Sequence, residues 1–202
     1  MTAIVKRVEI CGGIAAGKTT LARLLRSKIL TPIYEDFKKN PFYDAFYEDP
    51  RRYAFETELT FLLQHYHQQK AMASKNRDFC ADFSLVLDCS YARVTLTAEE
   101  GKIFQSVHAR AEHQLPARSL LVHLTCAPSE ELNRIRRRRR HSELSITLEY
   151  LQAINKALAE QIQRLRKDES ILAIDSGAID FAHDRDGRAR VRERVLDALT
   201  RY

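Results

Sequence analysis

The stretch GGIAAGKT, residues 12–19, decides the fold. Gly12, Gly17, Lys18 and Thr19 fill the pattern G-x-x-x-x-G-K-[ST]. Glycines at these places let successive backbone amides turn inward around a phosphate, and a helix starting there adds its positive dipole end. In such a loop the lysine reaches the β- and γ-phosphates, and the following hydroxyl is offered to Mg²⁺. The flanks make the pattern specific. IVKRVEIC, residues 4–11, reads as a buried strand, and residues 17–29 place Leu21, Leu24, Leu25 and Ile29 at helical spacing. Strand, glycine-rich loop and helix open an α/β unit.

Further along, the same alternation continues. PIYE (32–35), FCADFS (79–84), SLLVHLTC (119–126) and ILAID (171–175) read as short strands. Residues 41–74 read as a long helical region broken at Asp49-Pro50, because proline disfavours helix in the residue before it. Residues 130–140 and 188–202 read as helices, and residues 147–167 repeat Leu148, Leu151, Ile154, Leu158, Ile162 and Leu165 on one face. Short strands alternating with helices predict an α/β fold in which helices cover both faces of a parallel sheet.

The chain of 202 residues, 45% of them hydrophobic, is long enough to bury a core and is expected to form one domain over residues 1–202. Its net charge of +6 is uneven, since RIRRRRR, residues 134–140, holds six arginines. The excess therefore belongs to one site rather than to the whole surface. The four cysteines show no metal-ligand spacing; Cys11, Cys80 and Cys126 lie in or beside apolar runs and read as small buried hydrophobes of a reducing compartment. Residues 1–10 lack the apolar core of a signal peptide, and no apolar run approaches the roughly 18 residues that span a membrane. A cytoplasmic protein is expected.

A phosphate loop alone fits a motor, a GTPase or a small-molecule kinase. No guanine-reading NKxD follows, and the chain is short for a motor. A kinase needs a base for the acceptor hydroxyl and arginines near the transferred group. Five motifs supply them in order: GGIAAGKTT (12–20), YEDFKKNPFYDAFYEDPRRYAFETELTFLLQHY (34–66), ADFS (81–84) with YARVTL (91–96), LTCAPSEELNRIRRRRRHSE (124–143) and EYLQAIN (149–155). Together they resemble the deoxynucleoside kinases, particularly their bacterial branch. The resemblance implies a P-loop kinase three-layer sandwich, a five-stranded parallel sheet flanked by helices, with an arginine-rich lid over about residues 134–143.

It also implies roles. ATP and Mg²⁺ would be held by Gly12, Gly13, Ile14, Ala15, Ala16, Gly17, Lys18, Thr19 and Thr20, with Arg134 on the nucleotide and Asp82 beside Thr19 at the metal. Glu35 would deprotonate the sugar 5′-hydroxyl, with Lys18, Arg138 and Arg140 completing the catalytic set. Tyr47 and Glu143 would bond the 3′-hydroxyl, and Tyr91 and Asp88 would face the base. The segment AIDSGAIDF, residues 173–181, resembles the part that holds the donor adenine. A deoxynucleoside partner, a homodimer and no nucleic acid or membrane are expected.

Five positions depart from the pattern. Phe83 stands where many members carry arginine, and Leu87 replaces a lysine, so one cation is missing beside the reacting oxygen unless the arginine run replaces it. Glu58 stands in place of a base-reading glutamine, and His65 in place of an arginine. Arg139 replaces a lid glycine, which adopts positive φ at little cost. An ionised Glu58 only accepts hydrogen bonds, which suits the donors of guanine and predicts a shift towards deoxyguanosine; a protonated Glu58 would restore a donor. The competing readings are a P-loop kinase for another small acceptor, and a nucleic-acid-binding protein using the arginine run. The latter leaves Gly12 to Thr19 and Glu35 unexplained.

Overall fold

The computed structural model describes residues 5–27, 30–165 and 170–200. The expected strand start at Ile4, the helical position Ile29, and the helix ends at Arg166, Lys167, Arg201 and Tyr202 lie outside them. The elements run β1 (Arg7–Gly12), α1 (Lys18–Leu25), β2 (Thr31–Ile33), α2 (Tyr43–Glu48), α3 (Pro50–Ala73), β3 (Phe79–Ala81), α4 (Leu85–Thr95), α5 (Ala98–His113), β4 (Arg118–Thr125), α6 (Pro128–Arg138), α7 (Leu148–Leu165), β5 (Ile171–Asp175) and α8 (Arg185–Thr200). The five strands form one parallel sheet in the order β2-β3-β1-β4-β5.

Alternation along the strands builds the two faces. Val8 and Ile10 of β1, with Leu120, Val122 and Leu124 of β4, pack on Leu21 and Leu25 of α1 and on Val191 and Val195 of α8. Cys11 and Leu121 point the other way, onto Val86 and Leu87 of α4 and Leu158 and Ile162 of α7. Outside α4, Leu62 of α3 and Phe104 of α5 close a further cluster. This is the expected three-layer sandwich.

The break between α2 and α3 falls where proline put it: Pro50 opens α3, and the Asp49 carboxylate caps it by accepting from the Arg52 amide. Two helices were not anticipated. α4 mixes buried Leu85, Val86 and Leu87 with buried Asp88 and Ser90, so periodicity gives no clean signal, although Ser84 caps its first turn. α5 carries a complete capping box between Thr97 and Glu100, a signature present in the sequence. Cys11 and Cys80 are buried as expected, whereas Cys89 and Cys126 are only half-buried; burial raises all four thiols. Among the described residues no helix is long and apolar enough to cross a membrane.

One buried feature runs against the apolar reading of β1. Arg7 and Glu9 are both fully buried, paired at 2.7 Å; Arg7 also reaches Glu112 of α5 at 2.8 Å, and Arg118 of β4 reaches Glu9 at 3.1 Å. This ionic cluster sits at the amino ends of the strands. The carboxyl ends, where ligands bind in open parallel sheets, form the opposite edge.

Candidate active site

Four strand ends converge on that edge. β1 ends at Gly12 and enters the glycine loop, where Gly17 has φ 102° and Ala15 φ 63°. A Cβ on Gly12 would lie 2.7 Å from the Leu124 carbonyl, so the loop hugs β4 closely. α1 starts with no side-chain cap, leaving its first amides directed out of the helix. Lys18 Nζ donates to the carbonyls of Gly12 and Gly13 at 2.9 Å.

Asp82, which is 3% exposed, directly follows β3. Its carboxylate accepts from the Glu35 amide at 2.6 Å and from the Thr19 hydroxyl, and burial raises its pKa. Asp82 thus ties the segment after β2 to the start of α1. Glu35 lies just past β2 rather than within it, its side chain open to the cavity. Burial works against its charge, but His65 and Lys18 outweigh that and hold its carboxyl below the usual range.

A cavity of about 790 Å³ opens between these ends and helices α2, α3, α4 and α6. Ile14, Ala15, Gly17, Lys18, Thr19, Thr20 and Arg134 line its phosphate-loop side; Glu35, Tyr47, Glu58, His65, Asp82, Asp88, Tyr91, Arg138, Arg140 and Glu143 line the rest. Gly12, Gly13 and Ala16 lie behind this lining, in the loop's own backbone. The sequence-expected residues therefore share one space.

At its far end Glu58 accepts from the Thr95 hydroxyl at 3.1 Å. Burial, then the neighbouring Asp88, pushes the Glu58 carboxyl up to about 8. Burial thus favours the protonated form, the alternative in which Glu58 both donates and accepts. His65 sits between Asp88, at 2.9 Å from Nδ1, and Glu35, at 3.3 Å from Nε2. Its ring stacks on Phe83 with centroids 4.0 Å apart and an interplanar angle of 10°.

At the mouth, Glu143 is 2% exposed and accepts from Arg138 Nε at 2.6 Å, Arg140 Nη1 at 3.3 Å and the Tyr43 hydroxyl at 3.2 Å. Tyr43, not Tyr47, makes the tyrosine contact to Glu143; Tyr47 meets the Tyr43 ring edge-on at 5.2 Å. The two stand one helical turn apart in α2, and sequence spacing alone does not choose between them. Arg140 also lies over the Phe37 ring. Arg134 donates to Glu130, to the Ser176 carbonyl at 2.8 Å and towards Ala15, joining α6 to the phosphate loop. A second cavity of about 540 Å³ lies there, between Arg134, Gly17 and Ser176 to Phe181. Arg136 and Arg137 are exposed, and Arg137 pairs with Glu130. Arg139 closes α6 in the left-handed conformation, φ 51°.

Glu131 escaped the sequence reading. It is fully buried behind Gly13 and accepts from Asn155 at 2.8 Å, with burial pushing its carboxyl up to about 7. A Cβ on Gly13 would run into the Glu131 carboxylate, which would have to move to admit it.

The donor set suits Mg²⁺, which keeps several waters and binds through one or two carboxylates plus phosphate oxygens. Asp82 and Thr19 offer two such oxygens. Among the described residues no group of three or more His, Cys, Asp or Glu gathers as a protein-only metal cage.

The sequence profile of the deoxynucleoside kinase family matches residues 8–200. Deoxyguanosine kinase of Bacillus subtilis is 26% identical over 200 residues, covering 95% of this chain and 97% of that protein. Deoxyadenosine kinase of Dictyostelium discoideum is 28% identical over 174 residues, covering 83% and 71%. Deoxyadenosine kinase of M. mycoides, solved with bound dCTP, superposes with a TM-score of 0.78 at 19% identity, covering 95% of this chain and 99% of that one.

Proposed function

The chain belongs to the deoxynucleoside kinase family, and on that premise we propose that it transfers the γ-phosphoryl group of ATP to the 5′-hydroxyl of a purine deoxynucleoside, deoxyguanosine foremost, in nucleotide salvage. The observation that carries this is the single cavity lined by Lys18 at one end, Glu35 in the middle and Glu58 with Asp88 at the other. A triphosphate, a sugar and a base need those three chemistries in that order. The full-length similarity to the B. subtilis deoxyguanosine kinase supports the purine preference.

In the proposed reaction the glycine loop and the open amides of α1 grip the triphosphate. Arg134, between the loop and residues 173–181, holds the donor nucleotide. Glu35, kept ionised, takes the proton of the 5′-hydroxyl as its oxygen attacks. Glu143, fixed by Arg138, Arg140 and Tyr43, accepts from the 3′-hydroxyl, with Tyr47 completing that wall. Tyr91 packs against the base. Residues 134–143 act as a lid whose Arg138 and Arg140 turn to the transferred group when the site fills. Thr19 and Asp82 would hold Mg²⁺, which would supply positive charge to neutralise the phosphates. The whole chain acts as one unit, as a homodimer in the cytoplasm, with no nucleic-acid or membrane partner.

The test is ATP consumption across the four deoxynucleosides, with nucleoside monophosphates and no acceptor as controls. Glu35→Gln keeps the shape and removes the base, so kcat falls by about 10²- to 10⁴-fold while the deoxynucleoside still binds. Turnover that survives this substitution, or that prefers a monophosphate acceptor, overturns the reading.

A further inference from the structure

Phe83 stands where the family resemblance implies a cation beside the reacting oxygen, and in this structure Arg138 and Arg140 are bound to Glu143. A histidine stands there. His65, 3% exposed, lies flat on Phe83 and close to Phe61, so its ring plane is fixed. Nδ1 faces both oxygens of Asp88 at 3.0 and 2.9 Å. Nε2 has no formed hydrogen bond and points to Glu35 Oε1 at 3.3 Å, on the cavity wall.

Both ring nitrogens thus face carboxylates, which when ionised only accept. A neutral imidazole would set one lone pair against an oxygen, whereas an imidazolium donates at both ends. Resting on the kinase reading of the cavity, we propose that His65 is a positioning residue for Glu35: clamped by Asp88 and flattened on Phe83, it directs Nε2–H at the base carboxylate and aims its free oxygen at the acceptor hydroxyl.

The same ring joins Asp88, at the base end of the cavity, to Glu35, at the reacting end. A base that shifts Asp88 therefore shifts the angle at which Glu35 meets the hydroxyl. Poorly seated bases then lose turnover as well as binding. Burial opposes the charge, but Asp88 and Glu35 outweigh it and raise His65 to about 10. The other groups bearing on this chain of three are Glu58 from α3, Lys18 from α1, Arg140 after α6 and His108 from α5.

Asparagine and glutamine separate the two contacts. His65→Asn places an amide near Nδ1, keeping Asp88 and releasing Glu35; His65→Gln places one near Nε2 and does the reverse. We expect His65→Asn to lower kcat by about tenfold or more with KM little changed, because the Glu35 carboxylate loses its aim. His65→Gln is expected to raise KM and hold kcat within a few-fold. Equal losses of kcat with the same change in KM in both variants, while the wild type phosphorylates deoxynucleosides, overturn the proposal and leave the kinase reading standing. A wild type inert towards every deoxynucleoside overturns both. Ring-nitrogen NMR of the wild-type protein needs no variant to fold: His65 is expected to stay doubly protonated at pH 7.5, and a single neutral tautomer there overturns the proposal.

Discussion

At the scale of single residues, Glu58 shows what a sequence conveys and what it withholds. The family resemblance implies a base-reading position, but its charge depends on burial and on Asp88, which the fold brings beside it. Below about 8 burial favours the protonated form, which in the proposed role would serve guanine or adenine alike; above about 8 the carboxylate only accepts, which favours guanine. The ratio of kcat/KM for deoxyguanosine over deoxyadenosine should rise about three- to tenfold between pH 6.5 and 9, the worth of roughly one hydrogen bond. Glu58→Gln should flatten that rise, and a profile unchanged by the substitution rules the mechanism out. The sign for stability is opposite to that of a salt-bridged acid. The folded state holds a proton that the unfolded chain releases, so this group's contribution declines as pH climbs from the ordinary carboxylate range to about 8. Glu58→Gln should therefore raise the melting temperature more at pH 8.5 than at pH 5. Tyr43 was missed for a related reason: only the fold decides which of two tyrosines on one helical face meets Glu143.

Among the elements, α6 carries the clearest conflict between a side chain and its backbone. The arginine at position 139 was legible as a departure from glycine, and the backbone there has the left-handed φ of 51° that glycine accepts freely. An L side chain in that region costs roughly 1 kcal/mol. Arg139→Gly should raise the melting temperature by about 2–4 °C for a chain of this size. A fall, read by calorimetry, means that the arginine side chain contributes more than its backbone costs. β1, α1, α3 and α7 were legible because strand runs, helical periodicity and Pro50 each speak locally. α4 was not, since its buried residues include Asp88 and Ser90 beside the leucines and leave no clean apolar stripe to read.

Over the whole molecule, the ionic cluster at the amino edge links elements that the sequence sets far apart, with 109 residues between Arg118 and Glu9. The sequence showed Arg7 and Glu9 only as interruptions of an apolar strand, since their partners are assembled by tertiary structure. Burial works against the Glu9 charge, but Arg7 and Arg118 outweigh it and lower its pKa. The stability it contributes is full above the ordinary glutamate range and is lost as pH falls through its lowered value. Glu9→Ala leaves Arg7 and Arg118 without their shared carboxylate and should cost about 3–5 kcal/mol in chemical denaturation at pH 7; a cost below 1 kcal/mol contradicts that account. The strand order carries one more consequence, for synthesis. β1 pairs with nothing local: its neighbours in the sheet begin at Phe79 and Arg118. At roughly 5–20 residues per second, a ribosome spends about 6–22 seconds between making Arg7 and making Arg118. Until β4 emerges, the glycine loop lacks the Leu124 backbone against which it folds. The glycine loop is therefore made well before the β4 backbone it packs on, and it cannot take its final shape until Leu124 is in place.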